Sequence, residues 1–189
     1  MSPVTEKAAA EHDTEHDTER DAEQEAEPCV VEHPGPLLPG PPRFALEVPA
    51  GWTAAPAPRA LAVVTPSDPG APSAERFVPN LTVTADLVPA GTSAGQVLDA
   101  MLAAYPGTST RAVAEHEDRA GARLARPHEA VTVHQHVDVH VDATRAPAGH
   151  RHAVTVVSSW SSTTPTSERE ALAHAHSSFR LGTAAPVEA

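Results

Sequence analysis

One stretch of alternating residues, Val131–Val141, constrains the fold more than any other feature of this chain. Valine takes most of its odd positions, and polar residues take the even ones. The valines are Val131, Val133, Val137, Val139 and Val141, interrupted by Gln135. Successive side chains of a strand point to opposite faces, so the pattern predicts a strand over about residues 130–143 with one apolar and one polar face. Half-polar strands favour antiparallel pairing, because the strands of a buried parallel sheet are apolar throughout.

Similar alternation elsewhere predicts the rest of a sheet. The predicted strands are Phe44–Val48, Ala60–Val64, Leu81–Val88 and the approximate ranges 109–117, 122–127 and 150–160. Glycine and proline separate these strands. The predicted turns are Pro49-Ala50-Gly51, Gly121 and Ala146-Pro147-Ala148-Gly149, and Pro66–Pro72 is a predicted loop.

Two helices are predicted from their starting signals and apolar stripes. Ser93 and Gln96 have the spacing of a capping box, in which each side chain bonds a backbone N–H at the helix start. The first stripe is Val97, Leu98, Met101, Leu102 and Tyr105, ended by Pro106-Gly107. Ser167 and Glu170 have the same capping-box spacing before a second helix that runs to about Ser178. Its stripe is Ala171, Leu172, Ala175 and Phe179. Strands between two helices predict an α+β domain, an antiparallel sheet flanked by two main helices.

The ends of the chain differ in composition from this domain. The 189 residues carry a net charge of −12, and the segment Glu11–Glu27 reads EHDTEHDTERDAEQEAE. A segment so acidic and so poor in apolar side chains cannot bury enough surface to offset its ordering entropy. We therefore expect a disordered acidic tail and proline-rich linker over 1–42, the folded domain over 43–182, and a disordered tail over 183–189.

Composition also excludes several classes of function. An acidic chain with two Trp, one Tyr and three Phe lacks the basic surface and the stacking residues of a nucleic-acid-binding protein. One cysteine excludes an internal disulfide and a cysteine-rich zinc module. The chain has no apolar run long enough to span a membrane. Residues 1–28 lack the basic start and apolar centre of a secretory signal, so we expect a cytoplasmic protein.

A short motif before the first helix has the form of a hydrolase signature. Gly91-Thr92-Ser93-Ala94-Gly95 matches the G-x-S-x-G pattern, which presents a nucleophilic serine between a strand and a helix. The strand before such a serine is buried in a parallel sheet, whereas the strand predicted here alternates polar and apolar residues. Ser93 also has a sufficient role as an N-cap. We therefore interpret Ser93 as a cap and keep a serine hydrolase as an alternative.

The polar face of the strand over 130–143 is the second candidate for chemistry. Its side chains are His134, His136, Asp138, His140 and Asp142, at steps of about 6.6 Å. If residue 140 pairs with His152 and residue 142 with His150, facing side chains come close enough to share a zinc ion. The same residues fit a solvated sheet face, which is the interpretation we prefer. His174 and His176, near the end of the second helix, are interpreted as surface residues.

So many imidazoles on one face also suggest a dependence on pH. An unperturbed histidine gains its charge near pH 6.5. Acidification through that pH is therefore expected to strengthen docking of the acidic tail, or of an acidic partner, on this face.

Three local patterns have the order and spacing found in a known family. They are Phe44-Ala45-Leu46-Glu47-Val48-Pro49-Ala50-Gly51-Trp52, Phe77-Val78-Pro79-Asn80-Leu81 and Ser178-Phe179-Arg180-Leu181. With the element order over about 43–182 they resemble the LpqN/LpqT family of actinobacterial lipoproteins, within the wider PsbP-like group of α/β/α sandwiches. The resemblance implies an antiparallel sheet flanked by helices and a role in binding or adaptor work. This chain departs from the family in lacking the lipoprotein signal and the lipobox cysteine.

These observations predict a non-enzymatic protein-binding or adaptor domain that acts through its sheet face or a groove. No catalytic, cofactor-binding or metal-binding residue is assigned, and no cofactor is expected. One alternative is a metal-dependent or serine hydrolase that uses His134, His136 and His140, or Ser93. Another is a chaperone for a secreted effector, since the PsbP-like group includes such chaperones. The expected partner is another protein, and the oligomeric state is left open.

Overall fold

The computed structural model describes residues 40, 42–70, 77–105, 109–142 and 149–182, apart from the side chains of 109–115. Nearly all of the expected N-terminal tail and linker, the tail over 183–189, and the predicted helix stop at Pro106-Gly107 lie outside these residues. The elements are β1 (Phe44–Ala45), β2 (Trp52–Ala57), β3 (Ala60–Pro66), β4 (Asn80–Pro89), α1 (Ala94–Ala103), β5 (Ser109–Glu115), β6 (Arg119–His128), β7 (Val131–Val141), β8 (His150–Ser161), α2 (Thr166–Ser178) and β9 (Arg180–Leu181).

Seven of these strands form one sheet in the order β2-β3-β4-β8-β7-β6-β5, and β1 pairs with β9 separately. Every neighbouring pair runs antiparallel. The strands near the centre are long, with 10 residues in β4, 11 in β7 and 12 in β8. The predicted α+β class with an antiparallel sheet flanked by two helices is therefore confirmed.

The two helices pack on opposite faces of the sheet, and the alternation along β7 separates those faces. Val137, Val139 and Val141 of β7 face α1, where they form an apolar cluster with Leu98 of the helix. Asp138 and the other even-numbered residues of β7 face α2. There Leu172 of the helix packs against a second apolar cluster whose sheet members are Val64, Leu81, Val83, Val154 and Val156. The polar face of β7 is therefore covered by α2, next to the second apolar cluster.

The capping box predicted for the first helix is present. Ser93 Oγ accepts a hydrogen bond from the backbone N–H of Gln96 at 3.2 Å, and Gln96 Oε1 accepts one from the Ser93 N–H at 2.8 Å. The helix ends at Ala103. Tyr105, which was expected in the apolar stripe, therefore lies beyond the helix and is 43% exposed.

Two predicted boundaries are wrong. Gly121, expected as a turn, lies inside β6 and pairs with Asp138 of β7. Glycine within a strand often marks a close approach by another group, and here that group is the Asp138 carboxylate. At α2, Pro165 occupies the N-cap position and no side chain caps the helix, so the Ser167–Glu170 capping box does not form.

The edge strand β2 was not predicted, and β1 is shorter than expected. After Trp52, the sequence of β2 is made of small residues and Pro56, and it shows no alternation. As an edge strand that pairs with β3 alone, β2 tolerates a proline. The strand expected over Phe44–Val48 contributes only Phe44–Ala45 to a ladder.

The residues of the family-like patterns have structural roles. Gly51 has a φ of 77° in the turn before β2, which favours glycine. Asn80 Nδ2 donates to the carbonyl of Val78 at 3.1 Å. Arg180 Nη1 donates to the carbonyl of Ser177 at 2.7 Å, at the end of α2. Next to it, the rings of Phe44 and Phe179 stack with centroids 5.8 Å apart.

Candidate functional site

Ser93, the residue of the hydrolase-like motif, acts as a helix cap. Its Oγ accepts the backbone N–H of Gln96, and its own N–H donates to the Gln96 side chain. In the described part of the chain, the hydrogen bond of its hydroxyl group is the one in the capping box. The interpretation of Ser93 as a cap is confirmed.

The register between β7 and β8 differs from the predicted one by two residues. His140 pairs with Val154 rather than with His152. The backbone N–H of residue 142 donates to the carbonyl of His152 at 2.8 Å, which continues the same register. On their other side, His152 and His150 pair with Leu87 and Pro89 of β4. The predicted shared site between residues 140 and 152 is therefore not formed.

Three other side chains on this face come together, His136 and Asp138 from β7 and His176 from α2; we call them the His–Asp cluster. His136 Nε2 lies 3.6 Å from Asp138 Oδ1, and His176 Nε2 lies 3.5 Å from Asp138 Oδ2. One nitrogen or oxygen from each residue lies within 4.8 Å of the other two. The two imidazole rings stack with centroids 4.2 Å apart and 5° between their planes.

Two residues of the His–Asp cluster are buried and His136 is half-buried, which overturns the interpretation of this part of the face as solvated. Asp138 and His176 are each 5% exposed. The expectation that His176 is a surface residue is therefore wrong. His174 does lie at the surface, with a side chain that is 67% exposed and 2.9 Å from a carboxylate oxygen of Glu47. His176 follows Leu172 by four residues, so both lie on the buried side of the helix.

Neighbouring residues hold Asp138 and His176 of the cluster in place. Ser158 Oγ of β8 lies 2.6 Å from His176 Nδ1. Arg119 Nη2 of β6 donates to Asp138 Oδ2 at 2.5 Å. A Cβ atom at Gly121 would overlap Asp138 Oδ1, so the absence of a side chain there makes room for the carboxylate. Four elements, β6, β7, β8 and α2, therefore build the cluster.

Burial and neighbouring charges set the protonation of this site. Burial is the largest of the causes that lower the pKa of His136 to about 4, and the neighbouring His176 adds to it. Burial also lowers the pKa of His140. For Asp138, burial raises the pKa, but His176 and Arg119 outweigh burial and hold the pKa well below its usual range. Protonation near pH 6.5 is therefore not expected at His136 or His140, contrary to the prediction from sequence.

A cavity of about 360 Å³ lies between α2 and the sheet, beside the cluster. Two guanidinium groups and one carboxylate line it, so its charged side chains are net positive in a strongly acidic chain. The lining residues are Arg123, His136, Ser158, Trp160, Thr166, Arg169, Glu170, Ala173 and His176. His134, one position along the same face, stacks on Trp160 with ring centroids 6.0 Å apart.

His140, the third histidine of the predicted hydrolase site, lies apart from the His–Asp cluster. Its ring centroid is 5.1 Å from that of Phe179. It lines a second cavity, of about 960 Å³, together with Arg119 and Arg180. The structure therefore separates His134, His136 and His140 into three different environments.

The sequence did not identify His176 of α2, or Ser158 and Arg123 of the sheet, as members of the site. For His176 a signal exists: the spacing Leu172, Ala175, His176 and Phe179 continues the buried stripe of the helix. No local pattern marks Ser158 or Arg123. Ser158 contacts His176, and Arg123 lines the same cavity as Arg169, only because of the way α2 crosses the sheet.

No protein-family model matches this chain, and no curated protein matches it. Among solved structures, the chain is similar to LpqN, involved in cell envelope biogenesis of Mycobacterium tuberculosis. The TM-score is 0.58 at 14% sequence identity, and the match covers 77% of this chain and 86% of LpqN. The likeness shows an LpqN-like fold, as the sequence resemblance implied. Neither helix in the described part of the chain has the length and apolarity needed to cross a membrane.

Proposed function

We propose that this domain is a non-enzymatic binding module that docks an acidic segment of a partner protein in the cavity between α2 and the sheet. The observation that carries the proposal is the lining of that cavity, where Arg123 and Arg169 lie with Trp160 in a chain of net charge −12. Arginine and tryptophan are among the residues most enriched where binding energy concentrates in protein interfaces.

The two arginines suit a carboxylate. Arg123 is exposed, and no side chain that the structure describes forms an ion pair with it. Arg169 Nη2 donates to Thr166 Oγ1 at 2.8 Å, which orients its guanidinium group at the first turn of α2. A guanidinium group binds a carboxylate through two parallel hydrogen bonds, which gives orientation as well as affinity.

The size of the cavity favours a side-chain anchor over a large cofactor. Its volume of about 360 Å³ is at the lower end of the range for small-molecule sites, about 300–1,000 Å³. One or two side chains of a partner fill such a volume, with Trp160 and Ala173 as the apolar contacts. The size of the cavity therefore supports the adaptor function that the sequence predicts, with a groove rather than an open sheet face as the binding surface.

The surroundings of Ser158 support binding over hydrolysis. Ser158 is 2% exposed, and it pairs with Leu81 on one side and His136 on the other. In the middle of a sheet the backbone N–H groups bond neighbouring strands, so none is directed at a developing oxyanion. The contact with His176 is then a structural hydrogen bond that fixes the imidazole.

Site-specific photo-cross-linking in intact cells tests this proposal. A benzophenone side chain replaces Ala173, which lines the cavity, or Ala100, an exposed alanine of α1 on the opposite face. We expect an adduct at position 173 with a segment of another protein rich in Asp and Glu, lost when Arg123→Glu is added, and no adduct at position 100. The identity of the partner also tests the cytoplasmic location, which stays a prediction.

Three results would contradict the proposal. They are an adduct that survives Arg123→Glu, an equal yield from position 100, and a captured segment without acidic residues. An adduct that forms only with the chain's own segment Glu11–Glu27 would show that the cavity binds this segment and not another protein.

A further inference from the structure

We propose that His136, Asp138 and His176 form a binding site for a zinc-like divalent metal ion, with an open position toward the cavity. The proposal is independent of the acidic partner. Two imidazoles and one carboxylate are donors that zinc accepts in proteins. These three ligands differ from the predicted set of His134, His136 and His140. Helix α2 supplies His176, whereas His134 and His140 contact Trp160 and Phe179 elsewhere on the same face.

A buried nitrogen without a hydrogen-bond partner points to a ligand at this place. His176 is 5% exposed, and its Nε2 has no hydrogen-bond partner among the described residues. That atom lies 3.5 Å from Asp138 Oδ2. A buried polar atom without a partner is uncommon and destabilising. A metal ion between Nε2 and the carboxylate would give Nε2 the partner that it lacks.

The residues around the cluster have the arrangement that metal sites use to orient their ligands. Ser158 Oγ lies 2.6 Å from His176 Nδ1, which leaves Nε2 as the ligand atom. Arg119 Nη2 donates to Asp138 Oδ2. Hydrogen bonds of this kind, from a ligand to its neighbours, fix ring orientation and tautomer in known metal sites.

The nitrogen–oxygen distances in the cluster suit a metal site that forms when one imidazole ring rotates. Bonds of about 2.0–2.1 Å in a tetrahedral site place ligand atoms about 3.4 Å apart. His136 Nε2 lies 3.6 Å from Asp138 Oδ1, and His176 Nε2 lies 3.5 Å from Asp138 Oδ2, so the carboxylate presents one oxygen to each imidazole. The two rings are parallel within 5°, so their in-plane lone pairs cannot meet at one ion in the present arrangement. His136 is the ring that turns, because its side chain is 23% exposed and that of His176 is 4% exposed.

Three protein ligands leave one position of a tetrahedral ion open. His136 and His176 both line the cavity of about 360 Å³, so the open position faces it. Water or an anionic group would occupy that position, and Arg123 at the same cavity offsets the charge of an anion.

The test measures Zn²⁺ by isothermal titration and Co²⁺ by visible absorption, on the full chain after treatment with a chelator at pH 7.5. His12, His16 and His33 are changed to alanine in every protein, because histidines beside acidic residues in the N-terminal segment bind metal weakly. We expect one Zn²⁺ per chain and the absorption of four-coordinate Co²⁺. His136→Ala is expected to weaken Zn²⁺ binding by about 100-fold or more.

Matched variants decide between this site and the predicted histidine set. His134→Ala and His140→Ala remove histidines from the same face of the same strand and are expected to keep the Zn²⁺ affinity within threefold. Asp138→Asn is a second test, since it keeps the shape of the side chain, with folding checked by circular dichroism. No Zn²⁺ site in the parent chain, equal affinity in His136→Ala, or an equal loss in His134→Ala would each overturn the proposal.

Discussion

Gly121→Ala is expected to destabilise the domain because the Asp138 carboxylate occupies the space of the added methyl group. An ideal Cβ at Gly121 overlaps Asp138 Oδ1 and lies 3.2 Å from the carbonyl oxygen of Val137. Asp138 cannot move away freely, since it is 5% exposed and bonded to Arg119. Overpacking of this kind lowers the free energy of unfolding by about 1–3 kcal/mol.

A double-mutant cycle shows whether that loss comes from Asp138. In an Asp138→Ala background the carboxylate is gone, and Gly121→Ala should change the free energy of unfolding by less than about 1 kcal/mol, since the lower backbone entropy of alanine offsets the remaining contact with Val137. The expected coupling between the two positions is about 1–3 kcal/mol.

Urea unfolding followed by far-ultraviolet circular dichroism measures all four free energies of this cycle. Gly91→Ala is the matched control, because a Cβ at Gly91 meets no atom within 4 Å. Additive effects of Gly121→Ala and Asp138→Ala would refute the explanation, and so would an equal loss in Gly91→Ala.

Three further predictions concern stability and use the same unfolding assay. Burial lowers the pKa of His136 from 6.5 to about 4, so the unfolded chain binds more protons between these values, and lowering the pH from 6.5 to 4 should reduce stability by about 3 kcal/mol in metal-free protein. His136→Gln should remove that part of the slope, and an unchanged slope would contradict the shift. Ser93→Ala should lower stability by about 1 kcal/mol through loss of the cap; no loss would contradict its capping role. Leu172→Ala should lower stability by about 2–5 kcal/mol and Leu87→Ala, at a residue 38% exposed, by less than half as much; equal losses would contradict the placement of the core under α2.

The elements that depend on local spacing could be predicted from the sequence. The alternation over Val131–Val141 is a property of one strand, and it correctly gave the strand, its two faces and the antiparallel class. The capping box of Ser93 and Gln96 is likewise local, because both partners lie within four residues. Such features need no knowledge of what packs against them.

The candidate site could not be predicted because its geometry depends on contacts distant in sequence. The register between β7 and β8 brings His140 opposite Val154, and nothing in the hairpin sequence distinguishes this register from one shifted by two residues, since both keep the same faces buried. His176 joins Asp138 only because α2 crosses the polar face of β7. The apolar stripe of α2 was the available signal, because His176 lies four residues after Leu172 on the same side of the helix.

The dissociation constant of the cross-linked partner segment, made as a synthetic peptide, tests the proposed binding site most directly. Isothermal titration would compare the full chain with Arg123→Gln and with Arg59→Gln, which removes an exposed arginine between β2 and β3. A charged hydrogen bond contributes about 1.5–3 kcal/mol, so Arg123→Gln should weaken binding by about 10- to 100-fold, and Arg59→Gln should leave it within twofold. Equal affinity in Arg123→Gln, or an equal loss in Arg59→Gln, would contradict binding through this cavity.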